Sequence, residues 1–457
     1  MWRYLLVSSL LVLVGFSGNR FARVTDVGHT EVPPSPQREG DPAAGYRYLL
    51  YGDVLRAGVP LALFKSLLSE NADDIGREGD AQGLPYPFNA VEAPNGVKVA
   101  APTCLTCHAE RLNGRLIVGL GNNTADYTRT VPTLLFDRAV EMRYGKDSPE
   151  WAAYWPLSRS QRAIGPYIRT SVRGLNPADK IFAALAAHRR AEDLMWLDSA
   201  QFALPVEVVP TDVPPWWLLK KKNALYYNAL GRGDFARLSS ASVMLTLTDS
   251  AEARRVDRHM VDVIAWIRTL EPPKYPFTID TALAKRGKVI FEKNCSKCHG
   301  TYGSNPTYPN RVVELKRIGT DPLLAQMYRR YPEYHTWYNR SWFAQGPHKA
   351  ELRPTDGYIA PPLDGIWASA PYLHNGSIPT VEDLLNSAQR PKYWRRSFDN
   401  SDYDPVRLGW RYRAEEQPSG PDTYDTTLPG YGNGGHTFGD HLGAEERKAV
   451  IEYLKTL

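Results

Sequence analysis

The chain has 457 residues, of which 43% are hydrophobic and 23% charged, and its formal net charge is +5. This length suggests two domains, or three at most, and the composition is ordinary for a globular protein with a substantial buried core. The low net charge, without a low-complexity block or a long charge run, gives no support for nucleic acid as a partner, and we expect none.

The N-terminus has the pattern of a secretory signal over residues 1–18. Arg3 precedes an apolar run over residues 4–16, which closes on the small residues Gly15, Ser17 and Gly18. The run is shorter than the roughly 20 residues that span a bilayer, so we expect cleavage, with an uncleaved anchor as the alternative. The mature protein is then predicted to be periplasmic or secreted, in a bacterium, with no stable membrane span. Residues 19–44 are polar and proline-rich and are predicted to form a linker or extended arm.

Two short motifs, each reading C-x-x-C-H, use all four cysteines of the chain. Two thiols at this spacing can form thioethers with the two vinyl groups of one porphyrin, and the adjacent histidine is placed to bind the iron. The sequence therefore predicts two covalently bound haem c groups. Their attachment residues are Cys104, Cys107 and His108 in the first motif and Cys295, Cys298 and His299 in the second.

Two other structures could use the same cysteines. The two C-x-x-C pairs could together bind zinc in an all-thiolate site, although both histidines would then have no role. Each pair could also close a local disulfide loop in an oxidising compartment. Covalent haem accounts for cysteines and histidines together, and it agrees with export, because bacteria attach c-type haem outside the cytoplasm.

The sequence also contains an internal duplication. An amphipathic helix is predicted over residues 251–270, and the last eight residues, 450–457, repeat its ending almost position for position. Proline-rich residues 272–276 mark a boundary, giving an N-terminal haem domain over 45–273 and a C-terminal cytochrome c domain over 274–457. The predicted fold is mainly α, with two cytochrome c-type haem domains, long loops and a few short strands.

The two units differ in the segment before the motif. A helix predicted over residues 282–293 leads directly into Cys295. In small c-type cytochromes such a helix packs against the C-terminal helix and encloses the haem. Pro102 stands just before Cys104, so the first unit is predicted to lack this helix and to hold its haem differently.

The stretch over residues 360–377 begins Ala-Pro-Pro-Leu-Asp-Gly and looks like the signature of the bacterial di-haem cytochrome c peroxidases. In a longer pattern the chain resembles the rubber oxygenase branch of that superfamily. The resemblance covers roughly residues 45–457. The longer pattern includes Asp-Val-Pro-Pro-Trp-Trp at 212–217, Lys-Lys-Lys-Asn-Ala at 220–224, Gly-Arg-Gly-Asp-Phe at 231–235 and Gly-Gly-His-Thr-Phe-Gly at 434–439.

The resemblance implies roles for further residues. His436, in a glycine-rich loop before the last helix, matches a distal histidine and is predicted to be the second iron ligand of the C-terminal haem, with Met327 as the alternative donor. The N-terminal haem is expected to have an open iron with an aromatic distal wall, for which the candidates are Trp216, Trp217 and Phe235. His374 is expected near a haem propionate and not on iron. Weaker sixth-ligand candidates for the first haem are Met142, His188, Met195, Met244 and His259.

Two functions follow from these ligand sets. An open first haem would make the protein an oxidoreductase of peroxidase or oxygenase type, with peroxide or O2 as oxidant and the C-terminal haem passing electrons. Two six-coordinate haems would instead make it a non-catalytic electron carrier between partner proteins. The missing sixth-ligand motif in the first unit favours the enzyme.

Overall fold

The computed structural model describes residues 29–68, 75–129, 133–205 and 207–457. The predicted signal segment and the start of the predicted linker lie outside these residues. The described helices are α1 Pro42–Tyr51, α2 Leu61–Leu67, α3 Leu105–His108, α4 Thr133–Tyr144, α5 Pro149–Ile164, α6 Ala178–Ala187, α7 Phe235–Ser239, α8 Ser250–Ile267, α9 Thr281–Asn294, α10 Ser296–His299, α11 Leu315–Ile318, α12 Leu323–Arg330, α13 Glu333–Arg340, α14 Val381–Leu385 and α15 Ala444–Leu454.

The strands are short, and all of their pairings are antiparallel. They form small two- and three-stranded sheets with the orders β1-β8-β10, β2-β4-β3, β5-β6, β7-β9, β14-β11-β15 and β12-β13. Their bounds are β1 His29–Glu31, β2 Val59–Pro60, β3 Phe88–Glu92, β4 Lys98–Pro102, β5 Ala109–Leu112, β6 Arg115–Val118, β7 Gly231–Gly233, β8 Arg311–Glu314, β9 Ala350–Leu352, β10 Gly357–Ile359, β11 Tyr393–Arg396, β12 Tyr403–Asp404, β13 Gly409–Trp410, β14 Tyr412–Glu415 and β15 Thr423–Asp425.

The predicted fold class is wrong. The structure is mixed α/β, with 39% helix, 15% strand and several small sheets, and it does not show two cytochrome domains. Strands of two to five residues are too short to display the alternation that reveals a strand in sequence. Several also find their partners far along the chain, as β1 does with β8 and β7 with β9, so local patterns carry no trace of them.

Two pairs of helices cross in the same way, each through a glycine at the point of closest approach. Helix α9 crosses α15 so closely that a Cβ on Gly287 would lie 1.8 Å from the carbonyl oxygen of Ala449. Helix α1 crosses α8 in the same way, and a Cβ on Gly45 would lie 2.0 Å from the carbonyl oxygen of Asp262. As predicted, no helix leads directly into Cys104, because strand β4 precedes it, but the first unit does have a helix of this kind in α1, which packs against α8.

The main core joins residues from both predicted halves. Helices α6 and α8 contribute Leu185 and Val256, and α12 and α13 contribute Leu324 and Trp337, all almost fully buried in one cluster. The boundary predicted near residue 273 therefore does not divide the hydrophobic core. Within the described ranges, no helix combines the length and apolarity needed to cross a membrane.

The described part of the predicted linker is fixed to the rest of the molecule. Strand β1 pairs with β8, and Val32 is buried in a cluster with residues of both predicted halves, among them Ala224 and Val312. Further on, the Arg38 guanidinium donates to the carboxylates of Asp234 and Asp257 at 2.7 Å each. The arm thus connects the second predicted half to α8, which belongs to the first.

Candidate functional site

The second C-x-x-C-H motif lies where α9 ends. Cys295 caps α9, and the short helix α10 brings His299 round so that its backbone N–H donates to the Cys295 carbonyl at 3.0 Å. The His299 Nδ1 lies 2.8 Å from the Pro361 carbonyl oxygen. A carbonyl only accepts, so Nδ1 carries the proton and the lone pair is on Nε2, the arrangement of a metal-binding histidine. Burial lowers the pKa of His299, which keeps the ring neutral as a metal ligand must be.

The His436 ring faces His299 from a tightly held loop. Its centroid lies 6.2 Å from that of His299, with the planes inclined at 60°. The His436 backbone has a φ of 46°, and its N–H donates to the Ile318 carbonyl at 2.6 Å. Arg390 donates to the Gly435 and His436 carbonyls, which fixes the loop from the other side. Burial lowers the pKa of His436 to about 4, so this imidazole is neutral too.

This spacing fits one metal ion between the two rings. Two metal–nitrogen bonds of about 2 Å each, plus the radii of two five-membered rings, give a centroid separation of about 6 Å. The described residues contain no group of three or more His, Cys, Asp or Glu that could hold a metal ion, so the four-cysteine zinc site is excluded. The cysteines also form no disulfide. A pair of imidazoles suffices where the porphyrin supplies the other four nitrogens.

The first motif has a different environment. Helix α3 carries His108, whose carbonyl accepts from the Gly119 N–H at 2.8 Å, while the Gly119 carbonyl accepts from the Trp216 N–H. These bonds place the Trp216 ring flat against the His108 ring, with centroids 4.7 Å apart and planes inclined at 22°. The His108 Nδ1 is buried and has no hydrogen-bond partner. Burial lowers the pKa of His108 to about 4, which again leaves a neutral imidazole.

The three predicted wall aromatics do not come together. Trp216 lies beside His108 and therefore on the side of the predicted proximal ligand. Trp217 is 1% exposed and packs in the cluster around the second motif, where its Nε1 donates to the Asp364 carbonyl at 2.8 Å. Phe235 is also 1% exposed and belongs to the main core. The structure thus connects only Trp216 to the first motif.

Most alternative iron-ligand candidates have other partners. The His188 ring hydrogen-bonds the Leu197 carbonyl at 3.0 Å and stacks on Trp196. His259 stacks on Tyr48 with centroids 4.4 Å apart. Met142 and Met195 are exposed, and Met244 and Met327 are buried in the main core.

Polar residues that sequence reasoning missed lie beside the first motif. The Asn176 Nδ2 donates to the Cys107 Sγ at 3.3 Å, and Asn176 pairs through its backbone with Thr211. The next residue, Asp212, accepts a 2.9 Å hydrogen bond from the Tyr227 hydroxyl. Burial raises the pKa of Asp212 to about 7. The motif Asp-Val-Pro-Pro-Trp-Trp drew attention to this segment, but for Trp216 and Trp217 and not for Asp212.

Burial also raises the pKa values of Tyr226 and Asp179, and the charge of Asp179 acts on Tyr226. The pKa of Asp179 rises to about 6, although this residue is partly exposed. Asp179 and Asp212 are therefore carboxyl groups in a poorly solvated setting.

The stretch that contains His374 connects the two motifs. His374 is 5% exposed and stacks on Tyr358, with centroids 4.0 Å apart. Its carbonyl accepts from the Asp212 N–H at 2.8 Å, which ties it to the segment beside the first motif. The same stretch supplies Pro361, the partner of His299. The stretch thus contacts residues of both sites, and the propionate role of His374 stays a prediction.

Comparison with known proteins gives a family match within this stretch. Residues 357–395 match the family model described as RoxA-like, cytochrome c-like. The match supports a RoxA-like c-type cytochrome. The predicted haem c cofactor is confirmed to that extent, while the number of haems, the peroxidase superfamily and the individual iron ligands stay predictions.

Two curated relatives come from Sinorhizobium fredii (strain NBRC 101917 / NGR234). The uncharacterized protein y4iM is 27% identical over 318 residues, which cover 60% of this chain and 71% of the relative. The uncharacterized protein y4iJ is 30% identical over 253 residues, which cover 41% of each chain. The similarity therefore extends beyond the stretch matched by the family model.

Proposed function

We propose that this RoxA-like c-type cytochrome is an exported di-haem oxidoreductase with two unlike haems. The observation that carries the proposal is the difference between the two motifs. His299 has a second imidazole at the distance expected across one iron, whereas the ring partner of His108 is Trp216 on its own side. A haem with two imidazole ligands passes electrons, and one with a free face can bind O2 or peroxide.

In this proposal different residues hold each haem and the proton near the first motif. His299 and His436 hold the electron-transfer haem, with Pro361 fixing the ring of His299. His108 holds the reactive haem, which supplies the oxidising chemistry when its iron binds the oxidant. Asp212, hydrogen-bonded to Tyr227, holds a proton near the first motif. Electrons would be exchanged with a redox partner protein, and the compartment would be the periplasm or the exterior.

The haem content is tested first. Mass spectrometry and the pyridine haemochrome spectrum of the exported protein should give two covalent haems per chain. Replacing both cysteines of one motif by serine should remove one haem and leave the other. A mass equal to that of the bare polypeptide, or a single haem, would contradict the proposal.

The ligand sets are tested on the same holoprotein. We expect the electronic and EPR spectra to show one low-spin haem and one haem that binds CO or imidazole. The variant lacking the first motif's cysteines should lose the ligand-binding haem and keep the low-spin one. If both haems were low-spin and bound no added ligand in either redox state, the protein would be an electron carrier instead.

A further inference from the structure

An open pocket on the sheet β14-β11-β15 is rich in arginine. Its volume is about 510 Å³, and it carries four guanidinium groups against one carboxylate. Its lining residues are Arg173, Arg395, Arg396, Ser397, Phe398, Arg413 and Asp422. The proposed function makes no use of this site.

Two of these arginines stand opposite each other in the sheet. Arg395 of β11 is the cross-strand partner of Arg413 of β14. Like charges in this position destabilise a sheet, so the pairing has a cost unless an anion lies nearby. Asp422 is 3.4 Å from Arg395, and Glu415 is 2.7 Å from Arg413, so each exposed guanidinium has one carboxylate neighbour.

Arg396 forms no such ion pair, and the carboxylates of Glu110 and Asp212 act on its charge only from farther away. Its side chain is 7% exposed, and its Nη2 donates to the carbonyl and side-chain oxygens of Asn123. Its Nη1 is buried without a hydrogen-bond partner. The guanidinium lies over the rings of Phe398 and Trp410 at 4.5 and 4.6 Å. No ion pair to Arg396 occurs in the part of the chain that the structure describes.

A buried guanidinium that forms no ion pair is costly. Ring contacts, two neutral acceptors and the more distant carboxylates of Glu110 and Asp212 offset this cost only in part. Burial lowers the pKa of Arg396 to about 9, so the group remains a cation at neutral pH. Arg173 lies 4.1 Å from the centroid of the Phe398 ring and adds a second positive charge beside Arg396.

We propose that this pocket binds a small oxyanion of at least two negative charges, of the phosphate or carboxylate class. Arg396 would meet it through Nη1, and Arg395 and Arg413 would hold it from the rim. Guanidinium groups suit this role because they bind planar or tetrahedral oxyanions with paired hydrogen bonds. No residue that lines the pocket is a predicted haem-attachment residue or iron ligand.

The test is isothermal titration calorimetry of the holoprotein with inorganic phosphate, at an ionic strength fixed with chloride. We expect saturable binding, and a loss of about tenfold or more in affinity for Arg395→Gln and for Arg413→Gln, since each removes a charged hydrogen bond. Arg411→Gln is the matched control, because Arg411 is exposed and lies outside the pocket. Its affinity for phosphate should equal that of the wild type.

Arg396→Gln should abolish binding, and the two rim variants keep the test valid if this buried substitution unfolds the protein. The absence of phosphate binding to the holoprotein, or unchanged affinity in both rim variants, would overturn the proposal. A haem propionate that occupied Arg396 would give the first of these results. Because binding is read as heat at constant redox state, the outcome is independent of whether the first haem reacts with oxidants.

Discussion

At the scale of single residues, the candidate iron ligands share one physical condition. His108, His299 and His436 are withdrawn from water, and burial lowers the pKa of each, so each presents an uncharged ring. Only His299 has its Nδ1 bonded to a backbone carbonyl. All three neutral imidazoles can therefore bind a metal ion, but only the ring of His299 is held in orientation by a hydrogen bond from its Nδ1.

His436→Ala should convert one haem from low to high spin, because it removes the imidazole opposite His299. Electronic absorption and EPR spectra of the purified protein would show the change. His441→Ala is the control, since this neighbouring histidine is exposed and bonds only to Asn294 among the contacts that the structure describes. An unchanged spectrum in His436→Ala would mean that another residue completes this haem.

The raised pKa of Asp212 predicts how the stability of the protein changes with pH. Its folded-state pKa of about 7 lies above the unfolded value of about 3.9, so between these pH values the folded state retains a proton that the unfolded state releases. The contribution of Asp212 to the free energy of unfolding is therefore greatest below this pH window and declines through it by about 1.4 kcal/mol per pH unit. Burial raises the pKa of Asp212 by more than the hydrogen bond from Tyr227 and the charge of Arg396 lower it.

Asp212→Asn cannot ionise and should escape this decline. Between pH 5 and 7 the variant should gain roughly 2 kcal/mol of unfolding free energy relative to wild type. Urea unfolding of the holoprotein at several pH values measures the difference. Parallel stability profiles for the two proteins would show that Asp212 is ionised throughout.

At the scale of elements, two helix crossings hold the parts around the motifs in place. Asp41 and Asp249 cap the first turns of α1 and α8, and Asp280 caps α9 in the same way. Gly45 and Gly287 then allow each pair of backbones to approach. In both pairs an apolar residue follows four positions after the glycine, Leu49 and Phe291, and is buried.

Gly45→Ala and Gly287→Ala should each destabilise the protein, by about 1–3 kcal/mol, because the new methyl group clashes with a backbone carbonyl. In an ordinary helix the same change stabilises by roughly 0.5–1 kcal/mol. Gly165, helical in backbone and with nothing within 4 Å of its missing Cβ, is the matched control. Chemical denaturation distinguishes the signs, and a stabilised Gly287→Ala would refute the close crossing.

At the scale of the whole molecule, ion pairs join distant parts of the chain. The Asp257 carboxylate accepts from Arg237 as well as Arg38, and Arg237 lies 3.9 Å from the centroid of the Trp342 ring. The Asp234 and Asp257 side chains are 4% and 7% exposed. The arm, α7, α8 and the segment after α13 therefore depend on one partly buried charge network.

Arg38→Met should cost about 3–5 kcal/mol of unfolding free energy, because it leaves buried carboxylates short of a cation. Thermal and urea unfolding would report the loss. Lys98→Met provides the contrast, since Lys98 and Asp80 form an exposed pair that should contribute little. Equal stability for wild type and Arg38→Met would show that the arm is not held by this network.

The sequence by itself predicts the haem-attachment residues, because two thiols and a histidine within five positions are typical of thioether attachment through local spacing alone. It also pointed to His436, through a loop pattern, and to the α9–α15 pair, through helical periodicity. It missed α1 as the partner of α8, since more than fifty residues separate α1 from Cys104.

Tertiary structure decided everything that depends on long-range neighbours. The strands of the mixed α/β fold are too short to show a recognisable alternation in the sequence. The stacking of Trp216 on His108 and the hydrogen bond from His299 to Pro361 join residues that lie far apart in the chain. The raised pKa of Asp212 and the buried, unpartnered Nη1 of Arg396 follow from burial, which no local pattern encodes. Local chemistry is set by adjacency in the chain, whereas desolvation and contact are set by the folded packing around it.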